Sequence, residues 1–162
     1  MAYDENLWDD SGRIPNERNQ MENNTRAYIE KEVHRLYWDH DTNCARTTLH
    51  CLSELMNLSV QQQTWDAAVG LHGGGGYRAQ CGLVEGGLMF IGIYCGEKGV
   101  SRADAVGYCY DYAKSFEERF GALTCRELRP AGFHPDNPPH MCEKLTCDTI
   151  EFAYEYLKKL DI

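Results

Sequence analysis

The sequence predicts an all-α fold: a single-domain bundle of about five to six helices with one glycine-rich loop. Apolar residues recur at helical spacing in several segments, and Ile29, Val33 and Leu36 are an example from the first. Capping and terminating residues bracket these segments, and no segment alternates apolar and polar residues as a half-buried strand does. With 162 residues, 43% of them hydrophobic, the chain can form one domain with its own core.

Composition divides the chain into two parts. Residues 1–24 are rich in Asp, Glu, Asn and Gln, and we expect them to form a polar N-terminal arm. Helical periodicity begins at about Thr25, so residues 25–162 are the predicted helical, cysteine-rich domain.

Three helices are expected in the middle of the chain. Asn43 is suited to cap the second helix, which follows a short polar stretch. Residues 61–70 suit a short helix that ends at Gly70. After the glycine-rich loop, residues 80–94 form an apolar helix whose glycines allow close packing.

Two further helices and a short turn complete the prediction. Ser101 caps a long amphipathic helix to about Phe120, where Gly121 ends it. A turn with the sequence LTCREL then leads into a proline-rich loop. The last helix runs from about Pro139 to Leu160 and carries an apolar stripe.

Net charge and hydropathy exclude two classes of partner. The formal net charge of −9 leaves no basic excess to neutralise phosphates, so we expect no nucleic-acid partner. The acidic N-terminus MAYDENLWDD does not resemble a secretory signal. The most apolar stretch, LMFIGIY, is much shorter than the roughly 20 residues of a membrane-spanning helix. We therefore expect a soluble, cytoplasmic protein that does not interact with membranes.

Eight cysteines are unusual for a cytoplasmic protein of this size. Static disulfides are rare in a reducing compartment, so the alternatives are metal ligation, redox chemistry and core packing. The sequence contains no C-x-x-C, which argues against a thioredoxin-like motif or a ribbon-type zinc site. C-x-x-C-H is absent as well, so no covalently attached haem is expected.

Helix position separates the cysteines into two groups. Four stand at predicted helix or turn starts, where the partial positive charge and free N–H groups are expected to lower a thiol pKa. These are Cys44, Cys81, Cys125 and Cys142. The other four lie within helices or at their far ends, where cysteine usually acts as a small hydrophobic residue. These are Cys51, Cys95, Cys109 and Cys147.

The glycine-rich loop lies in the segment GLHGGGGYRAQCGLVEGG, residues 70–87. Gly74, Gly76 and Ala79 fit G-x-G-x-x-A, but no strand precedes them, so a nucleotide cofactor is not expected. The glycines could simply form a tight turn between helices.

A third interpretation gives the loop a part in the cysteine chemistry. Glycines expose backbone N–H groups that can stabilise a thiolate or a bridging sulfide at Cys81. The cofactor-binding residues predicted in this way are Gly74, Gly75, Gly76 and Gly82.

Four pieces of sequence carry a resemblance to a known family. They are NCARTTL around Cys44, C-G-x-x-x-G from Cys81 to Gly86, FGALTCREL around Cys125, and Cys142 before the last helix. Together they resemble the C_GCAxxG_C_C family of redox-active proteins, over about residues 25–160. The chain is also similar to the cysteine-bearing part of split-Soret cytochromes c, in which cysteines hold an iron–sulfur cluster beside haems.

The resemblance implies that residues 25–162 form a redox domain with a possible iron–sulfur cluster and no haem. Four thiolates are the usual complement of a [2Fe–2S] or [4Fe–4S] cluster. Its metal ligands would be Cys44, Cys81, Cys125 and Cys142.

Two alternatives use the same cysteines. Without metal, two of them would serve as the catalytic thiols of a dithiol–disulfide oxidoreductase or redox sensor. With zinc, all four would form a closed structural site. These hypotheses describe a redox protein or electron carrier rather than a hydrolase or transferase.

Two partners are expected. One is a redox partner protein, whose identity the sequence does not specify. The other is a second copy of the chain, because Tyr108, Tyr110 and Tyr112 cannot all face one side of a helix. At least one is expected to point outward, where a homodimer contact is possible.

Overall fold

Seven helices follow one another in residues 25–162, the part of the chain that the computed structural model describes. They are α1 Thr25–Trp38, α2 Cys44–Leu55, α3 Gln62–Ala67, α4 Gly82–Glu97, α5 Arg102–Phe120, α6 Cys125–Leu128 and α7 Glu143–Lys159. A 3₁₀ turn, Ala68–Gly70, extends α3. The described residues contain no β-strand, only one isolated antiparallel bridge between Gln80 and Thr124. The all-α prediction is confirmed, and the predicted polar arm, 1–24, lies outside the described residues.

Helices α1 and α2 form as their sequences predict. The apolar residues of α1 are buried, and Ile29 and Val33 have no exposed surface. This face of α1 packs mainly against α7. Asn43 caps α2, because its side chain accepts a hydrogen bond of 2.9 Å from the amide of Arg46.

Helices α2 and α4 pack so closely that their backbones touch. A Cβ atom at Gly86 would lie 2.7 Å from the carbonyl oxygen of Ala45 and 2.8 Å from Cβ of Thr48. No side chain larger than hydrogen fits there unless the helices move apart. The glycines of α4 therefore set the distance between the two helices that begin with Cys44 and Gly82.

Helix α5 covers one side of the core and has the predicted boundaries. Ser101 accepts a hydrogen bond from the amide of Asp104, and Gly121 ends the helix with φ +90°. Tyr112 is completely buried among aromatic side chains of α5 and α7, whereas the side chain of Tyr110 is largely exposed. This confirms that the three tyrosines do not share one face.

Two helices begin later than predicted. Helix α4 begins at Gly82 rather than at residue 80, because Gln80 is extended in the bridge with Thr124. Helix α7 begins at Glu143 rather than near Pro139, because His140 has a φ of +56°, which a right-handed helix does not allow. In both cases the residue before the helix is a cysteine. Across residues 25–162, no helix has the combined length and apolar character needed to cross a membrane.

Candidate cysteine site

Four helix starts supply the predicted site cysteines, and the structure confirms these positions. Cys44 is the first residue of α2 and Cys125 is the first residue of α6. Cys81 and Cys142 are the N-cap residues of α4 and α7. Each thiol therefore lies near the amide end of a helix.

The Gln80–Thr124 bridge places Cys81 beside Cys125. The amide of Cys81 donates to the carbonyl of Leu123 over 2.9 Å, and the amide of Cys125 donates to the carbonyl of Ala79 over 2.7 Å. These two hydrogen bonds join the ends of two segments that lie 44 residues apart in sequence. The start of α4 and the start of α6 are thereby held together.

Cys44 reaches the same place through the contact between α2 and α4. A Cβ atom at Gly82 would collide with the Cys44 sulfur and with the carbonyl oxygen of Leu71. The Cys44 sulfur therefore packs directly against the residue that follows Cys81.

Cys142 is positioned by the loop that precedes α7. The ring of His140 stacks on Tyr37, with 4.9 Å between ring centroids, and meets the edge of Trp38 at 5.0 Å. Nε1 of Trp38 donates to the Glu143 carboxylate over 2.9 Å. Helix α1 thus holds the residues on both sides of Cys142.

Burial dominates the electrostatics of the two inner thiols. Burial, together with the neighbouring Cys81, Cys125 and Cys142, raises the pKa of Cys44 to about 12. Burial also raises the pKa of Cys81 to about 12, although the backbone amides of Leu83 and Val84 oppose it. The predicted lowering of the thiol pKa is therefore wrong: the helix-start amides are present, but loss of water outweighs them.

The two outer thiols have basic neighbours. Burial raises the pKa of Cys125, while the guanidinium groups of Arg129 and Arg78 act in the opposite direction. Burial likewise raises the pKa of Cys142, and Arg129 again opposes it. Arg129 thus lies close enough to both sulfurs, and Arg78 to the Cys125 sulfur, to stabilise negative charge there.

A cavity of about 480 Å³ lies next to the cysteines. Three of the four thiols line it, together with three arginines: Cys44, Cys125, Cys142, Arg46, Arg78 and Arg129. Cys81 is not part of the lining and is only 5% exposed. The site therefore has a basic side that opens to solvent through the cavity, and a buried side at Cys81.

The glycine-rich loop contacts Cys125 rather than Cys81. Four consecutive glycines, Gly73–Gly76, have φ between +60° and +78°. A Cβ atom on Gly73 would lie 3.2 Å from the Cys125 sulfur. The amides of Gly75 and Gly76 donate to the carbonyls of Gly70 and His72, so these two do not point at Cys81 as expected. The amides that face Cys81 belong to the start of α4 instead.

The remaining four cysteines lie outside the cavity lining. Cys51, Cys95 and Cys147 are buried in the hydrophobic core. Cys109 is partly buried, and its sulfur lies 4.0 Å from the carbonyl oxygen of Leu88. These residues act as small hydrophobic side chains.

The donor set fits a soft metal group, but its spacing does not fit a single ion. Among residues 25–162, no group of three or more Cys, His, Asp or Glu side chains lies close enough to hold one metal ion. Tetrahedral zinc, with Zn–S bonds of about 2.3 Å, would require sulfurs about 3.8 Å apart. Thiolates are soft donors of the kind that bind zinc and iron–sulfur clusters.

Sequence reasoning missed Arg78, Arg129 and Phe133. Arg129 follows Cys125 by one helical turn, and Arg78 follows the four glycines by two residues. This spacing is the signal that was available, since residues four apart share a helix face. That both side chains turn toward the cysteines depends on how the loops fold.

Most of the chain matches a known protein family. Residues 42–156 match the model of the family described as "Putative redox-active protein (C_GCAxxG_C_C)". The match covers more than two thirds of the chain and includes all four site cysteines and the glycine-rich loop. No curated protein and no solved structure matches the chain significantly.

Proposed function

This chain belongs to the C_GCAxxG_C_C family, and on that premise we propose that Cys44, Cys81, Cys125 and Cys142 hold an iron–sulfur cluster for electron transfer. The observation that carries the proposal is that four soft thiols stand at four helix starts, and that Cys81, Cys125 and Cys142 lie close enough to Cys44 to raise its pKa. Thiolates in this number are the usual ligands of such clusters.

The charge balance of the thiols supports metal ligation. The neighbouring thiols raise the pKa of Cys44 and Cys81, so the four sulfurs cannot all be thiolates unless positive charge compensates them. A thiol that coordinates a metal is deprotonated, because the positive charge of the metal stabilises the thiolate. The same positive charge offsets the repulsion between neighbouring thiolates. A site with these pKa shifts is therefore better suited to a metal group than to free thiolates.

An iron–sulfur cluster, when bound, supplies one-electron redox chemistry. The chain's own residues would tune it. The amides of Leu83 and Val84 and the guanidinium groups of Arg78 and Arg129 stabilise negative charge near the sulfurs. Burial of Cys81 keeps water from one side, while the open side at Cys125 and Cys142 is the expected approach for a redox partner protein.

One observation favours a second candidate, a dithiol–disulfide oxidoreductase. Cys125 is only partly buried, lines the cavity and has two guanidinium groups opposing its pKa increase. Its thiolate would attack a disulfide substrate and release one thiol. The Cys142 thiolate would then attack the mixed disulfide, release the second thiol and leave a Cys125–Cys142 disulfide, so two electrons pass to the substrate.

Metal analysis of the anaerobically purified chain tests the proposal. We expect coloured protein with iron and acid-labile sulfide together. Serine replacement of Cys44, Cys81, Cys125 or Cys142 should reduce both, while Cys109→Ser, the matched control, should keep both. Circular dichroism on each sample separates loss of the cofactor from loss of the fold.

The other outcomes are equally decisive. Colourless protein that forms a reversible Cys125–Cys142 disulfide on mild oxidation would replace the cluster with the dithiol candidate. Zinc without sulfide would reject electron transfer and make the site structural.

A further inference from the structure

Two arginines share one aromatic ring at the edge of the cavity. The guanidinium carbon of Arg78 lies 4.3 Å from the centroid of the Phe133 ring, and that of Arg129 lies 4.6 Å from it. The two guanidinium carbons therefore lie within about 9 Å of each other. Cation–π contact fixes the position of each group, and Arg129 is held further because its Nε donates to the carbonyl of Gly132 over 2.9 Å.

This pair of charges is not neutralised by the described part of the chain. No carboxylate among residues 25–162 forms an ion pair with Arg78 or Arg129 within 4.0 Å. Two like charges within about 9 Å of each other repel unless salt or an opposite charge screens them. Rigid, unpaired guanidinium groups that face one cavity are the usual arrangement for recognising an anion.

The charge of the residues that line the cavity is opposite to the net charge of the chain. The formal net charge is −9, yet three arginines line this one cavity. Asp41 is the carboxylate among the described lining residues, and its side chain is 97% exposed and so turned toward solvent. Basic residues collected in an acidic protein create a local field that attracts anions to this place.

We propose that the cavity binds a small organic anion, with its carboxylate or phosphate group on Arg78 and Arg129, beside Cys125 and Cys142. A volume of about 480 Å³ is in the range of small-molecule pockets. Phe133 and Met141 supply apolar lining for the organic part. The oxyanion group would accept hydrogen bonds from the guanidinium forks, which match its geometry.

The proposed anion would bind beside the proposed cluster site. Its role in redox chemistry rests on the proposed function, but its binding does not. Binding itself requires the arginines and the cavity. The charge would bring the anion within reach of the redox-active sulfurs, where it would act as substrate or effector.

Calorimetric titration of the full chain with inorganic phosphate and with succinate tests the inference. Succinamide, which has the same skeleton as succinate but no charge, is the ligand control. We expect at least one anion to bind and succinamide not to bind. In the double variant Arg78→Gln with Arg129→Gln, the affinity for the anion should fall about tenfold or more, because charge-assisted hydrogen bonds are lost.

Arg126→Gln is the matched protein control, because Arg126 is an exposed residue of α6 that does not line the cavity. Its affinity should stay within about twofold of the original, as for an exposed charge screened by salt. The inference is overturned if neither anion binds, if succinamide binds equally, or if the double variant binds as well as the control. Thermal denaturation of each variant checks that the fold is intact.

Iron and sulfide content, measured on the same samples, keeps the two proposals apart. Anion binding by protein that never assembles a cluster would reject the proposed function and retain the inference. A cluster without anion binding would support the proposed function and reject the inference. If the cluster-free protein binds the anion and the cluster-loaded protein does not, the arginines serve the cluster and the inference fails.

Discussion

The Cys44 sulfur packs against the α-carbon of Gly82, with no space for a methyl group between them. This contact joins the first residue of α2 to the first residue of α4. It lies between two site cysteines, since Gly82 directly follows Cys81. The distance between the two helices and the geometry of the cysteine site are therefore set by the same contact.

Gly82→Ala should disrupt the site. The added methyl group collides with the Cys44 sulfur and the Leu71 carbonyl, so we expect a loss of about 1–3 kcal/mol in the free energy of unfolding, typical of overpacking. Cofactor content, or thiol reactivity if no cofactor is present, should fall with it. Gly92→Ala is the control in the same helix: its Cβ has nothing within 4 Å, and it should raise stability by about 0.5–1 kcal/mol. Equal effects of the two substitutions in urea unfolding would contradict the packing argument.

Gly73→Ala and Gly75→Ala separate backbone strain from contact with the site. Both residues have φ near +70°, so both substitutions should cost about 1–2 kcal/mol from the left-handed conformation alone. Only Gly73 faces the Cys125 sulfur, at 3.2 Å from its ideal Cβ; Gly75 has open space there. We therefore expect similar melting temperatures but altered alkylation of Cys125, measured by mass spectrometry, in Gly73→Ala alone. Altered alkylation in both variants would mean that strain, not contact, transmits the effect.

His140→Ala should loosen the position of Cys142. The variant loses the ring contacts with Tyr37 and Trp38, worth about 0.5–1.5 kcal/mol for aromatic pairs. The loop before α7 is then held less firmly, and we expect faster alkylation of Cys142 in the metal-free chain. His134→Ala in the same loop is the control, because the His134 side chain is exposed. If both variants behave alike, the stacking does not position Cys142.

Glu32 should make the fold sensitive to acid. Burial acts to raise the pKa of this carboxyl, but hydrogen bonds from His50 and Arg35 lower it to about 2, against an ordinary value of 4.5. Its folded pKa is depressed, so its contribution is complete above pH 4.5 and is lost as the pH falls toward about 2. The shift corresponds to about 3 kcal/mol at most.

Urea unfolding of the original chain and of Glu32→Gln checks this prediction. The difference in the free energy of unfolding should be largest at about pH 7 and should shrink at about pH 3, where the unfolded carboxyl is protonated. A difference that stays constant over this range would show that Glu32 contributes through packing and not through its charge.

The sequence predicts the helices best where it carries both an apolar period and a cap. Helix α5 has the predicted boundaries, because the Ser101 cap and the Gly121 terminator are local signals. The start of α7 is mispredicted, because His140 adopts a left-handed conformation that no local sequence signal marks, and its ring stacks on Tyr37 of α1. Capping and terminating residues act within a few residues and can be recognised in the sequence. A contact between distant segments leaves no such local signal.

The same limit applies to the site. Helix-start positions of the cysteines follow from sequence, but the pKa of Cys44 and Cys81 depends on burial, which outweighs the helix-start amides. The basic side was missed for a related reason. Arg78 and Arg129 are far apart in sequence, and they meet at one cavity only through the fold, on either side of the Phe133 ring.

The four cysteines lie 37, 44 and 17 residues apart along the chain. A site whose members are so widely separated has a high contact order, and closing its loops costs entropy that only the completed fold offsets. A partly folded chain therefore cannot assemble it. Any group bound by all four sulfurs would link three long loops, so its release and the cooperative unfolding of the domain should occur as one event. In protein loaded with such a group, its release on heating or in urea would then report the unfolding of the whole domain.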